Sequence, residues 1–102
     1  MAIRYEIDLP VLAPDGSVYP SDLLEHALEE LGEEFGIVST YSIYRPMAVK
    51  SAEPVHVEWV RFWFDPRDVQ DTHEWIARWR KSVLAPRYRG IELSVVWFHP
   101  TQ

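Results

Sequence analysis

No cysteine occurs in the 102-residue chain. Disulfides, thiolate metal sites and cysteine nucleophiles are therefore excluded, and the absence fits a reducing compartment. Positive charge is also scarce: 10 Lys and Arg stand against 16 Asp and Glu, a formal charge of −6. That balance opposes a sequence-independent grip on nucleic acid, which requires cations to neutralise phosphates. The 4 glycines lie scattered at turns and helix ends and build no phosphate-cradling loop. No serine stands in a nucleophile elbow. No stretch approaches the roughly 18 apolar residues of a membrane span. The opening residues Met1 to Glu6 interrupt their apolar stretch with charges, unlike a signal peptide. These absences lead to the expectation of a soluble cytoplasmic protein with neither nucleic acid nor membrane as partner, and with no catalytic residue, metal site or cofactor visible. The length fits one domain, residues 1–102.

What the chain does have is a strand with two apolar faces. Val55 to Phe64 is β-branched and aromatic almost throughout, contains no Gly or Pro, and is closed by Asp65-Pro66. Val60, Phe62 and Phe64 lie on one face, Val57, Trp59 and Trp63 on the other. Such a strand belongs in the middle of a sheet with both sides covered.

Around it the chain alternates strands and helices. Ile3, Tyr5, Ile7 and Leu9 alternate with Arg4, Glu6 and Asp8, the period of a half-buried strand. An ordered loop follows, turned by Pro14-Asp15-Gly16 and tucked in by Leu12, Val18 and Tyr19. Ser21 or Asp22, with Glu25, is placed to cap a helix. Leu24, Ala27, Leu28, Leu31 and Phe35 carry that helix to Gly36. A polar strand over 37–44 reads as a sheet edge, the one place where Pro46 is tolerated. Asp71 and Glu74 offer a second capping box, and Val69, Thr72, Ile76, Trp79 and Val83 form a stripe that Pro86 should end near Leu84 or Ala85. Ile91 to Phe98, stopped by Pro100, gives a last strand.

The order strand, helix, strand, strand, helix, strand predicts an α+β fold: a ferredoxin-like βαββαβ sandwich, sheet order 4-1-3-2, with two helices on one face. The acidic first helix and the basic second one would then lie side by side.

The helices leave one face of the sheet open. Placing Val60, Phe62 and Phe64 toward the helices avoids burying Arg61 in the core. Trp59, Arg61 and Trp63 then share the open face with Arg4, Glu6 and Asp8, and Arg61 is set to pair with Glu6. Three uses of that face compete. A second copy could cover it, since interface cores enrich aromatics and arginine. A nucleobase platform is the second, but the RNA-recognition motif's glycine-aromatic signature is missing. A small-molecule pocket flanked by Trp59, Arg61 and Tyr41 is the third. His26, His56, His73 and His99 are spread along the chain, and nothing in the sequence brings two of them together.

Leu9-Pro10, Asp15-Gly16, Tyr19-Pro20, the run Leu31 to Phe35-Gly36, and Arg87-Tyr88-Arg89 before Ile91-Glu92 resemble a group of small uncharacterised bacterial proteins of about this length. The resemblance implies a bacterial single-domain protein and transfers no activity and no functional residue. The functional expectation is a non-enzymatic interaction or ligand-binding module, homodimeric through its open sheet face, with Arg4, Glu6, Tyr41, Trp59, Arg61 and Trp63 as the binding residues. A dimeric α+β barrel type enzyme or binding protein, acting on a small molecule, is the alternative.

Overall fold

A computed structural model describes residues 2–47, 55–88 and 96–101. Three long strands make the body of the sheet: β1 (Ala2–Pro10), β2 (Ser39–Met47) and β3 (Val55–Phe64), all antiparallel, with β3 between the other two. Tyr5 stands opposite Phe64 and Asp8 opposite Arg61, while Tyr41 stands on the far side of Arg61. Period-two alternation then fixes the faces.

Tyr5, Ile7, Leu9, Phe62 and Phe64 bury themselves against two helices, α1 (Asp22–Phe35) and α2 (Val69–Trp79). Ala27 and Leu31 of α1 and Ile76 and Trp79 of α2 complete this core. Aromatic rings form its centre: Phe35 stacks on Phe64 at 4.2 Å, and Tyr5 stacks on the same ring at 5.5 Å. Offset pairs of this kind add about 0.5–1.5 kcal/mol beyond their burial. The acidic and basic helical segments do meet, because Arg87 forks onto Glu30 at 2.7 and 3.0 Å.

The caps differ in part from the sequence reading. Ser21 occupies the N-cap of α1 without a side-chain capping bond. Gly36 ends α1 as expected, with φ 86° and its N–H on the Gly32 carbonyl. Asp68, three residues earlier than the expected start, caps α2 by accepting from the Asp71 N–H at 2.9 Å. Pro86 does not stop the chain near Leu84. A π-helical turn over Arg80–Leu84 carries it into a last helical turn, Ala85–Arg87, with the Ala85 N–H on the Arg80 carbonyl. The wider turn gives room for a proline ring that a regular α-helix would reject.

The ferredoxin-like sandwich is corrected by this architecture. The molecule is α+β, but its body is a three-stranded antiparallel sheet, order 1-3-2, and the complete fourth strand of a 4-1-3-2 sheet at Ile91–Phe98 is not shown. Residues 91–95 of that expectation lie outside the described residues. What lies along the outer edge of β1 is a six-residue segment, β4 (Val96–Thr101), with Ile7 opposite Val96 and Ala2 opposite Thr101. It runs through Pro100, the residue expected to end it. Proline is tolerated there because an edge position need not donate to the ladder.

The second side of the sheet is not entirely bare. The loop after β1 closes through an Ala13–Gly16 turn, with Gly16 at φ 88°, and a Leu12–Val18 bridge. Leu12 packs with Ile43 against Val57 and Trp59, a small second core on the face away from the helices. Tyr19 tucks into the main core, whereas Val18 stays 69% exposed, against expectation.

Candidate functional site

The face opposite the helices brings together all six residues expected there. Arg4 and Glu6 come from β1, Tyr41 from β2, and Trp59, Arg61 and Trp63 from β3. Antiparallel register places them side by side, with Glu6 opposite Trp63 and Arg61 opposite both Asp8 and Tyr41.

Asp8 is the centre of this face. It is fully buried, and Arg61 grips it with two parallel hydrogen bonds, Nε to Oδ1 at 2.7 Å and the terminal nitrogen to Oδ2 at 2.9 Å. Arg45 adds a longer contact to Oδ2 at 3.4 Å. A buried carboxylate without such partners would be strongly unfavourable, and the planar guanidinium fork fits it in a way lysine does not. The hydrogen bonds that Arg61 donates to Asp8 in turn raise the Arg61 pKa well above its ordinary value. The expected pairing of Arg61 with Glu6 is present as a longer ion pair at 3.8 Å, while the shorter bonds of Arg61 go to Asp8.

Glu6 belongs first to Arg4, at 2.8 Å. The Tyr41 hydroxyl lies 3.4 Å from Glu6, 3.4 Å from Arg4 and 3.5 Å from Arg61, so it stands at the junction of both ion pairs. The arginines also cover the indoles. Arg4 lies over the Trp63 ring at 4.4 Å and Arg45 over the Trp59 ring at 5.0 Å, both within cation–π range.

The two tryptophans are not equivalent. Trp63 is half-buried and reachable, whereas Trp59 is only 9% exposed under Leu12 and Ile43, with its indole N–H lacking a hydrogen-bond partner. Trp59 is thus a packing residue of the second core. Asp8 and Arg45 were the members sequence reasoning passed over as site residues. Alternation from Arg4 through Glu6 already put Asp8 on this face, but only the strand register could show which carboxylate meets Arg61.

A cleft among the described residues lies elsewhere. It holds about 420 Å³ between the end of α1 and the start of α2, lined by Glu33, Glu34, Asp65, Asp68 and Asp71 with Arg67. None of the six sheet-face residues borders it. Among the described residues no group of three or more His, Asp and Glu is arranged to hold a metal ion, and no helix is long and apolar enough to cross a membrane. His73 is used structurally, its Nδ1 sitting 3.0 Å from the buried Tyr5 hydroxyl. No protein-family model, curated protein or solved structure matches the chain.

Proposed function

We propose that the chain is a non-enzymatic interaction module and that the sheet face carrying Arg4, Tyr41, Arg61 and Trp63 is where a second copy docks. The observation that carries this reading is the preorganised arginine–aromatic lattice. Its side chains are held by buried carboxylates rather than left mobile. Little rotamer entropy then remains to be lost on docking, and Trp, Tyr and Arg are the residues that dominate interface energies.

Charge supports a second copy as the occupant. The chain as a whole carries −6, so two copies repel over most of their surface. On this face three arginines (Arg4, Arg45, Arg61) meet two carboxylates (Glu6, Asp8), which leaves one positive charge. It is a region where like-charge repulsion between copies is weak.

The test is native mass with Trp63→Ser. The substitution removes a half-buried indole without touching either packed core, so circular dichroism should stay unchanged while the native mass halves. An unchanged mass removes the face as the docking surface. Trp59→Ser is not equivalent, because it empties the second core and should lower stability.

A further inference from the structure

The face is not the only surface that this sheet leaves open. Among the described residues β2 pairs with β3 alone, so its other edge is a row of backbone groups with no strand beside it. Which groups point outward follows from one bond. The Val11 N–H donates to the Glu58 carbonyl at 3.3 Å, across the β1–β3 boundary. Backbone groups alternate sides along a strand, so the even-numbered residues of β3 serve β1 and the odd-numbered ones serve β2.

Trp59 stands opposite Ile43 and Arg61 opposite Tyr41, so the odd residues of β2 face β3. Thr40, Ser42, Tyr44 and Pro46 are left to face outward. Pro46 agrees independently, since a residue with no N–H belongs at a position with no inward bond to donate.

We propose that a second copy adds to this edge, β2 against β2 in antiparallel two-fold pairing centred on Ser42. In that register Ser42 faces Ser42 of the second copy, and Thr40 faces Tyr44. Pro46 falls opposite Val38, just outside the strand, so its missing donor breaks no bond. Tyr41 lies beside Ile43 of the second copy, a favourable aromatic with β-branched pair, and Arg45 lies beside Ser39. Shifting the pairing so that Tyr44 meets Tyr44 places Pro46 opposite Ser42 and loses a bond, and centring it on Arg45 sets like charges against each other. The edge itself carries little to block pairing: Thr40, Ser42 and Tyr44, whose backbone groups face outward, are uncharged residues, and the one proline of the strand is near its end.

The two-fold axis stands perpendicular to the sheet, so the arginine–aromatic faces of both copies look the same way. Edge pairing therefore leaves the face accessible. Tyr41 and Arg45 border both surfaces, whereas Trp63 takes no part in the edge pairing.

The absence of cysteine makes the register directly readable. In the proposed pairing the two Ser42 Cα atoms sit about 5.5 Å apart, within disulfide reach. The two Thr40 positions are offset by four residues, roughly 13 Å, and out of reach. Both side chains are exposed, and Ser42→Cys gives up only the 2.6 Å bond from its hydroxyl to the Glu58 carboxylate. Under mild oxidation the full chain with Ser42→Cys should shift on a non-reducing gel to twice the 12.0 kDa chain mass, while the chain with Thr40→Cys stays at single mass. Cross-linking of neither, or of both at the same rate, overturns the proposal. Adding Trp63→Ser to each leaves the pattern unchanged if the edge acts alone, and loss of the Ser42→Cys dimer in that background would equally overturn it.

Discussion

Arg61→Ala tests the electrostatics of the sheet face most sharply. The substitution deletes both short bonds to a carboxylate that has no exposure of its own, leaving Arg45 at 3.4 Å as the nearest cation. Breaking a buried pair from one side costs about 3–5 kcal/mol. Arg45 and the water admitted by the truncation offset part of this, which puts the expected loss near 3 kcal/mol, the lower end of that range. In a domain whose total stability is about 5–15 kcal/mol, this is a large fraction. At roughly 4–8 °C per kcal/mol the melting temperature should fall by more than ten degrees. Urea titration at neutral pH gives the free energy, and the slope should stay unchanged because the fold does. Two companions sharpen the reading. Arg61→Lys should recover only part of the loss, since an ammonium group cannot make two parallel bonds. Asp8→Leu combined with Arg61→Met should be more stable than Arg61→Ala alone, because no charge is left stranded. A loss below about 1 kcal/mol for Arg61→Ala, typical of a surface ion pair, would refute the argument that Asp8 depends on it.

Other consequences follow from single residues. Burial raises the Tyr5 and Tyr88 phenols from 10.0 to about 12, so the folded state keeps protons there that the unfolded chain has released. Their stabilisation is complete below pH 10 and is lost as pH rises toward 12, at about 1.4 kcal/mol per pH unit for each phenol. Thermal melts at pH 9 and pH 11 should show that fall, and equal melting temperatures would contradict it. Tyr5→Phe keeps the ring stack on Phe64 but loses the bond to His73, and should cost about 1 kcal/mol by urea titration. Gly36→Ala forces a side chain into φ 86° at the end of α1 and should cost on the order of 1 kcal/mol, although a Cβ there meets no atom within 4 Å. A neutral result would mean that the turn relaxes.

Much of this molecule could be read from residue order alone, and the exceptions have physical causes. α1 and β3 fall at Asp22–Phe35 and Val55–Phe64 because each has a clean period and an unambiguous stop. The assignment of Phe62 and Phe64 to the helix side follows from the cost of burying Arg61. The later part of the chain was harder. Pro86 reads as a helix breaker, yet a single π turn accommodates it, and no local signal distinguishes the two outcomes. The fourth strand was expected over Ile91–Phe98 because those residues are strongly β-forming, but propensity does not set where pairing with β1 begins. On the sheet face, alternation placed these residues side by side while register decided their wiring. That is why Trp59 is a packing residue and Asp8 the closer of the two carboxylates that Arg61 meets.

The measurement that tests the central claim most directly is light scattering over a concentration series, comparing the native chain with Trp63→Ser. The account predicts a native mass of at least twice 12.0 kDa and a halving on substitution with the fold intact. A native chain that stays at 12.0 kDa throughout, or a Trp63→Ser chain with undiminished mass, would contradict it.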